Sequence, residues 1–276
     1  MKKFSALITA FAVTAGLTGC FSAQKQIEQT ADGLLSDFAT DDTAFAFEGE
    51  VGAVTIKPST DGKVHTDVSY TARGFSSSVL EEILNETELK SSSDNGVFRL
   101  SFVKKGTDTS IWKAVKDEHA NYDIDVKAEI SVPETMTEFT ISTNVGSVTV
   151  EDISGTMDLT SNVGNIIVSG AALQGDSNFT TNVGNVQLSL AEALPENSQT
   201  EFSSDTGSIE VELSGKPEKG SEVSMKTDVG NVTFDTAGGE FTENIEKGTT
   251  GGSGSIAFGD GCTAQVSTST GKINVK

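Results

Sequence analysis

Apolar and polar residues alternate in short stretches through the second half of this chain. One pattern recurs there: an apolar residue, usually two Ser or Thr residues, Asn or Asp, any residue, Gly, a small polar residue, and then apolar residues at alternate positions. Copies stand at 141–150, 159–168, 179–188, 202–211 and 225–234, with weaker copies at 249–258 and 266–275 and an early relative at 50–56. Because neighbouring side chains of a strand point to opposite faces, this alternation predicts half-buried β-strands and not helices.

A glycine marks the turn between the two strands of each copy. The Asn or Asp before it can hydrogen-bond its own backbone, and glycine accepts a positive φ without a steric penalty from Cβ. The glycines are Gly146, Gly164, Gly184, Gly207, Gly230, Gly254 and Gly271, at spacings of 18, 20, 23, 23, 24 and 17 residues. Repeats this short must stack on their neighbours, so the sequence predicts an all-β protein, a parallel β-solenoid with rungs of 17–24 residues.

The polar side chains before the glycines would form a vertical ladder if the rungs stack in register. They are Asn144, Asn162, Asn182, Asp205 and Asp228. Carboxylate and amide oxygens are ligands that Ca²⁺ prefers. The same side chains can instead cap the turns and hydrogen-bond along the stack. We favour this second interpretation, because the chain lacks the clustered Asp spacing of calcium-binding nonapeptide repeats. No metal site and no cofactor are therefore predicted.

The first part of the chain is less regular. Strand-like runs stand at 51–56, 64–72, 97–103 and 122–132. Residues 78–90 have apolar side chains at helical spacing, and such a helix could cover an open end of the solenoid. The segment 104–121 is predicted to be a loop whose Trp112 packs on the body of the protein rather than on a partner. The polar segment 21–42 suits a tether or a short helix.

The amino terminus has the features of a lipoprotein export signal. Lys2 and Lys3 precede an apolar stretch at 4–17, and Leu-Thr-Gly-Cys follows at 17–20. The apolar stretch is shorter than the roughly 20 residues that a membrane-spanning helix needs. We therefore expect cleavage after Gly19, which would leave Cys20 as the lipidated first residue of a 257-residue mature chain.

Charge and cysteine content narrow the possible partners. The chain has 40 acidic and 19 basic residues, and loss of Lys2 and Lys3 would change its formal net charge from −21 to −23. A body this acidic is repelled by nucleic acid, so no nucleic-acid partner is predicted. With Cys20 lipidated, Cys262 has no cysteine partner within the chain, and we expect it to be a buried structural thiol.

Residues that could carry catalysis are few. The chain has two histidines, His65 and His119, and none of the common nucleophile, zinc or phosphate-loop motifs. Each histidine is predicted to be a surface residue. Parallel β-helices that act on polysaccharides pair acids with a nearby cation. The acids that alternate along 123–129 fit that pattern only in part, because Arg73 and Arg99 are the sole arginines and such alternation is also typical of a solvated strand face.

From Ile130 onward the chain has a strand that ends at Pro133, in VPETMTEFTI, and then the successive glycine-turn rungs. This order resembles the bacterial putative-adhesin domain family, a family of unknown function. The resemblance covers roughly residues 45–276 and implies a right-handed parallel β-solenoid in the cell envelope. Together with the export signal, it predicts a signal peptide at 1–19, a lipidated tether at 20–44 and a solenoid domain at 45–276, irregular over 45–133 and regular over 134–276.

Together these features predict a lipid-anchored envelope protein that acts as a non-catalytic binding, adhesin-like or structural module. Its partners would be the membrane, through the lipid, and an envelope polysaccharide or protein. Two alternatives stay open: an accessory protein of envelope-stress signalling, which needs a membrane partner, and a polysaccharide-acting β-helix enzyme. If the host has an outer membrane, that membrane is the expected location, because Phe21 is not an aspartate retention signal.

Overall fold

The computed structural model describes residues 8–11 and 26–214, and beyond them the strands at 221–229, 232–234, 242–247, 252–257 and 262–270 and residues 272–275. The first half contains β1 (Ile8–Phe11), β2 (Ile27–Phe38), β3 (Ala44–Pro58), β4 (Val64–Gly74), α1 (Ser77–Glu86), β5 (Thr87–Asp94), β6 (Val97–Lys104), α2 (Ile111–Glu118) and β7 (Asp123–Val132). The second half contains β8 (Glu138–Val145), β9 (Val148–Glu151), β10 (Ser154–Val163), β11 (Ile166–Leu173), β12 (Ser177–Val183), β13 (Val186–Leu190), β14 (Gln199–Thr206), β15 (Ile209–Glu212), β16 (Ser221–Val229), β17 (Val232–Phe234), β18 (Thr242–Lys247), β19 (Gly252–Ala257), β20 (Cys262–Thr270) and β21 (Ile273–Val275).

These strands form two long sheets. Sheet A contains, in spatial order, β1, β2, β4, β7, β3, β9, β11, β13, β15, β21 and β17. Sheet B contains β5, β6, β3, β8, β10, β12, β14, β20, β16, β19 and β18. Each repeat gives one strand to each sheet, and the repeat strands pair in parallel. The predicted all-β parallel solenoid is confirmed.

The core lies between the sheets and is built from the apolar positions of the repeats. In sheet B one column of fully buried side chains runs through Ile141, Leu159, Phe179 and Phe202. In sheet A a second column runs through Val148, Ile166, Val186, Ile209 and Ile273. The predicted inward face of the alternating pattern is therefore confirmed for the described rungs.

The irregular first part covers one end of the stack. The four predicted strand runs are confirmed as parts of β3, β4, β6 and β7. Helix α1 packs on β2 and β4 with Leu80, Ile83 and Leu84 buried. The helix ends earlier than predicted. At its end the Thr87 hydroxyl donates to the Ile83 carbonyl at 2.7 Å, and the residues from Thr87 onward pair with β6 as strand β5.

Two segments form elements other than those predicted. Residues 27–38, expected to be a tether or a short helix, form strand β2, which pairs antiparallel with β4. Strand β1, which lies inside the predicted export signal, pairs antiparallel with β2. Residues 111–118, expected to be loop, form helix α2, because Ile111, Trp112, Ala114 and Val115 form one buried face. The predicted packing of Trp112 on the body is confirmed, since its indole N–H donates to the Val51 carbonyl at 3.2 Å.

The rungs do not stack in the order of the sequence. Strand β20 lies between β14 and β16, and β21 lies between β15 and β17. Because β20 and β21 lie inside the stack, the last repeat of the sequence is not its outer rung. Strand β19 is also not a parallel rung, because it pairs antiparallel with β16 and β18. Gly254 therefore lies within a strand, opposite Met225 and Ile245, and not at a turn.

Among the described residues, neither helix is long and apolar enough to cross a bilayer.

Candidate functional site

The repeat glycines form a continuous column at the edge where the two sheets meet. Gly164 has φ +157°, and a Cβ atom there would lie 2.0 Å from the carbonyl oxygen of Gly146 on the adjacent rung. A Cβ atom at Gly184 would likewise lie 2.0 Å from the carbonyl oxygen of Gly164. The column comprises Gly52, Gly146, Gly164, Gly184 and Gly207. Each rung can therefore approach the next only because neither residue at the corner has a side chain.

A column of buried hydroxyl groups hydrogen-bonds the glycine carbonyls. Ser161 donates to the Gly146 carbonyl at 2.9 Å, and Thr181 donates to the Gly164 carbonyl at 2.8 Å. Ser204 continues the series by donating to Gly184 at 2.8 Å. A buried carbonyl left without a donor is costly, so the second small polar position of the repeat stabilises the corner.

The predicted Asn ladder lies on the outside of the same corner. The Asn162 amide donates to the Asn144 side-chain oxygen at 2.9 Å, and Asn182 donates to Asn162 at 2.6 Å. Asp205 is exposed on the next rung. The amide oxygens of Asn144 and Asn162 are occupied by these bonds, which supports turn stabilisation over calcium binding. Within the described residues, no three acidic, histidine or cysteine side chains converge on a possible metal position.

A second polar ladder was not predicted. The backbone N–H of Asn185 donates to the Asn165 side chain at 2.8 Å, and the N–H of Ser208 donates to the Asn185 side chain at 2.8 Å. These residues directly follow the corner glycines, where the repeat pattern has a small polar residue. The repeat pattern shows that these positions are small and polar, but it does not show that they hydrogen-bond between rungs.

The other predicted site residues divide into two groups. Asp228 lies near the end of strand β16. Four positions lie outside the described residues: Gly19, Cys20, Gly230 and Gly271. The lipidation site and the last two turn glycines therefore stay predictions.

A groove of about 410 Å³ crosses the outer face of sheet B. It spans the first residues of β8, β10 and β14 and the start of β12, so at a strand spacing of about 4.8 Å it is roughly 15 Å long. One wall is formed by Glu138, Thr156, Asp176 and Gln199, and the other by Thr140, Asp158, Asn178 and Glu201. We call this the sheet B groove. Both walls consist of side chains that point away from the core.

The groove presents one carboxylate on each rung, alternately from its two walls. The carboxylates belong to Glu138, Asp158, Asp176 and Glu201. Two of them are held in place: the Asn178 amide donates to Asp158 at 3.0 Å, and the backbone N–H of Gln199 donates to Asp176 at 2.7 Å. The lining contains no Lys, Arg, His or Cys. The groove can therefore accept hydrogen bonds from a ligand but offers no cation and no imidazole or thiol to a reaction.

The two histidines lie away from this groove. His119 packs against Tyr122, with ring centroids 5.9 Å apart. His65 bridges two acids at the covered end: Nδ1 lies 2.8 Å from Asp37 and Nε2 lies 2.6 Å from Asp61. The hydrogen bonds to Asp37 and then Asp61 raise the pKa of His65, and the bond from His65 lowers the pKa of Asp61. Two carboxylate partners require protons on both ring nitrogens, so the bridge forms fully only with imidazolium.

We expect the His65 bridge to make stability depend on pH. Because the folded pKa of His65 is raised, its contribution is fully present below the unfolded value of about 6.5 and is lost as the pH rises through the folded pKa. The difference in urea midpoint between the wild-type protein and His65→Gln should therefore shrink from pH 5.5 to pH 8.5. A constant difference over this range would show that the bridge contributes nothing to stability, and Asp67→Asn on the neighbouring outward position of β4 is the control.

Comparison with known proteins bears on the repeat region. A family model described as Toastrack DUF4097 matches residues 121–243, a segment that contains the whole sheet B groove. No curated protein matches the chain. Among solved structures, a putative cell adhesion protein from Clostridium sporogenes is similar at 14% identity and a TM-score of 0.39, over 88% of this chain and 99% of that one. A putative adhesin from Bacteroides fragilis has 16% identity and a TM-score of 0.38, over 92% and 98%. With both scores below 0.5, the description of the fold rests on the strand pairing of this chain.

Proposed function

We propose that this protein is a non-catalytic binding module of the cell envelope. The match of residues 121–243 to the family model described as Toastrack DUF4097 supports this proposal, as does the resemblance of the repeats to the putative-adhesin domain family. The observation that carries the proposal is the sheet B groove. It crosses four rungs of a stack held rigid by the glycine and hydroxyl columns, and its walls are polar positions with no role in the core. A rigid scaffold that repeats polar outward residues from rung to rung suits recognition of a repeating ligand.

The proposed ligand is an envelope polysaccharide or an envelope protein. Carboxylate and amide oxygens along both walls match ligands that are rich in hydroxyl or amino hydrogen-bond donors. Catalysis is not part of the proposal. The lining has no Lys or Arg of the kind that a polysaccharide lyase places beside its acids, and a glycosidase, which needs only a pair of carboxylates, is an outcome of the test of the groove.

Lipid anchoring at Cys20 is the second part of the proposal, and it rests on the sequence. We expect wild-type protein to stay with the membrane fraction and Cys20→Ala to be released from it. Digestion of cell-bound protein by added protease in intact cells would support a surface module. Protection from protease would favour the alternative role in envelope-stress signalling, and crosslinking in intact cells would then have to capture a membrane partner.

The groove itself is tested with purified sacculi as the probe. We expect the protein to co-sediment with them, and we expect Asp158→Lys combined with Glu201→Lys to reduce the bound fraction at least tenfold, a change of about 1.4 kcal/mol. Glu151→Lys combined with Glu212→Lys, at exposed positions of sheet A, is the control for the same change of net charge. If no sedimentation occurs, or if all variants sediment equally, sacculi are not the ligand of this groove. Product release from sacculi, lost in Asp158→Asn, would instead support an enzyme.

A further inference from the structure

Strand β5 is the last strand of sheet B at the covered end of the stack. It pairs antiparallel with β6 on one side, and within the described part of the chain no strand lies on its other side. An edge strand of this kind presents a row of unpaired backbone N–H and C=O groups. At the same end of sheet A, β2 is paired with the four-residue strand β1, which lies inside the predicted export signal. Among the described strands, β5 is the edge strand of sheet B at this end and is open to another chain.

A second groove, of about 660 Å³, lies directly beside this edge. Its walls are residues 91–93 of β5 and the segment 37–42 at the end of β2. Phe38 and Phe98 line it, with ring centroids 5.7 Å apart and tilted by 57°. Ser93 lies opposite Phe98, and Ser91 lies opposite Leu100. Opposite these large apolar side chains of β6, β5 thus has only serines. The difference in side-chain size leaves the space that forms the groove.

The groove carries negative charge on one wall. Asp37, Asp41 and Asp42 line it, and no Lys or Arg does. Asp37 is hydrogen-bonded to His65, while Thr40 donates to Asp42 at 2.7 Å. Asp41 is exposed beside these two acids. A second copy of this chain would bring a similarly acidic edge, so charge favours a cationic partner over self-association.

We propose that the β5 edge and this groove bind an extended cationic peptide segment of another protein. The peptide adds one strand to sheet B, so that backbone bonds to β5 provide affinity. Its alternate apolar side chains fill the space over Phe38 and Phe98, and a Lys or Arg side chain reaches Asp41. The site lies on a different part of the molecule from the sheet B groove, and it does not depend on lipid anchoring or on the ligand of that groove.

The test uses a fluorescein-labelled heptapeptide, Lys-Val-Lys-Thr-Lys-Val-Lys, and the full chain, with binding followed by fluorescence anisotropy at low salt. We expect saturable binding, weakened about tenfold by Asp41→Lys and by Ser91→Leu, which fills the groove. The matched controls are Asp67→Lys on sheet A and Ser101→Leu on the exposed face of β6. Far-UV circular dichroism verifies that each variant is folded, and Asp41→Lys, as an exposed change, serves if Ser91→Leu does not fold.

Two further measurements separate strand addition from general attraction to an acidic surface. A heptapeptide with proline in place of threonine should bind at least tenfold more weakly, because it lacks one backbone donor and cannot complete the ladder. Hydrogen exchange in β5 should slow when the first peptide is bound. Absence of saturable binding by the folded protein up to roughly 1 mM peptide overturns the proposal. Equal binding of the two peptides, or equal losses in Asp41→Lys and Asp67→Lys, also overturns it.

Discussion

Gly164→Ala is expected to lower the free energy of unfolding by roughly 3 kcal/mol or more, because the added methyl group would meet the backbone of the adjacent rung. The added Cβ would lie 2.0 Å from the Gly146 carbonyl oxygen, and φ is +157°. The Gly146 oxygen belongs to the backbone and cannot rotate away from the added Cβ, so the two rungs must separate locally. That separation also lengthens the hydrogen bond from Ser161 to the Gly146 carbonyl, which joins the same two rungs. Urea unfolding followed by circular dichroism measures the change.

Gly62→Ala is the matched control for this prediction. Gly62 also has a positive φ, +73°, but a Cβ atom there has nothing within 4 Å. Alanine at this position meets only the cost of the left-handed conformation, about 1 kcal/mol. Equal losses for the two variants would mean that the close approach of the rungs has no energetic consequence, and the account of the corner would be wrong.

The second large effect is expected from Phe179→Ala, which should cost about 3–5 kcal/mol. Phe179 and Phe202 come from adjacent rungs, and their rings stack with centroids 5.2 Å apart at an angle of 9°. Both side chains are fully buried. Removing one ring leaves a cavity that the stack cannot close, because the corner glycines fix the rung spacing. Phe202 then loses contacts on the face that met Phe179.

Phe75→Ala distinguishes this loss from a general effect of deleting an aromatic ring. Phe75 is 38% exposed, and its ring centroid lies 6.4 Å from that of Tyr122. Removing this side chain should therefore cost less than about 1.5 kcal/mol. Phe179→Leu should lie between the two alanine variants, since it keeps most of the buried volume. A Phe179→Ala protein as stable as Phe75→Ala would contradict the described core.

The fold was predictable from the repeat because each feature of the repeat has a local physical cause. The apolar positions before and after Gly164 became the two buried columns, and the glycine itself became the corner. The helix at 78–90 was predicted two-thirds correctly, since Leu80, Ile83 and Leu84 have helical spacing. Its last residues became β5 because pairing with β6 outweighs local helix propensity, and a single sequence does not show which distant strand will be the neighbour.

The sheet B groove could have been found from the sequence. Aligning the repeats on their glycines places Thr140, Asp158, Asn178 and Glu201 six residues before each glycine, and these residues form one wall. The second groove could not have been found in this way, because only the fold brings β2 next to the β5–β6 hairpin. The same limit applies to the order of the rungs: β14 has a suitable apolar pattern for either β16 or β20, and the repeat does not distinguish them.

The position of β20 and β21 inside the stack affects how the protein can acquire its structure during synthesis. Two rungs that are adjacent in sequence, β14 with β15 and β16 with β17, are separated by strands that are synthesised after both. Assembly therefore cannot proceed vectorially from one end, as it does in solenoids whose repeats contact only their sequence neighbours. The space between these two rungs must stay open until strands β20 and β21 are available, and a chain stalled before that point would present two unpaired sheet edges to chaperones and proteases.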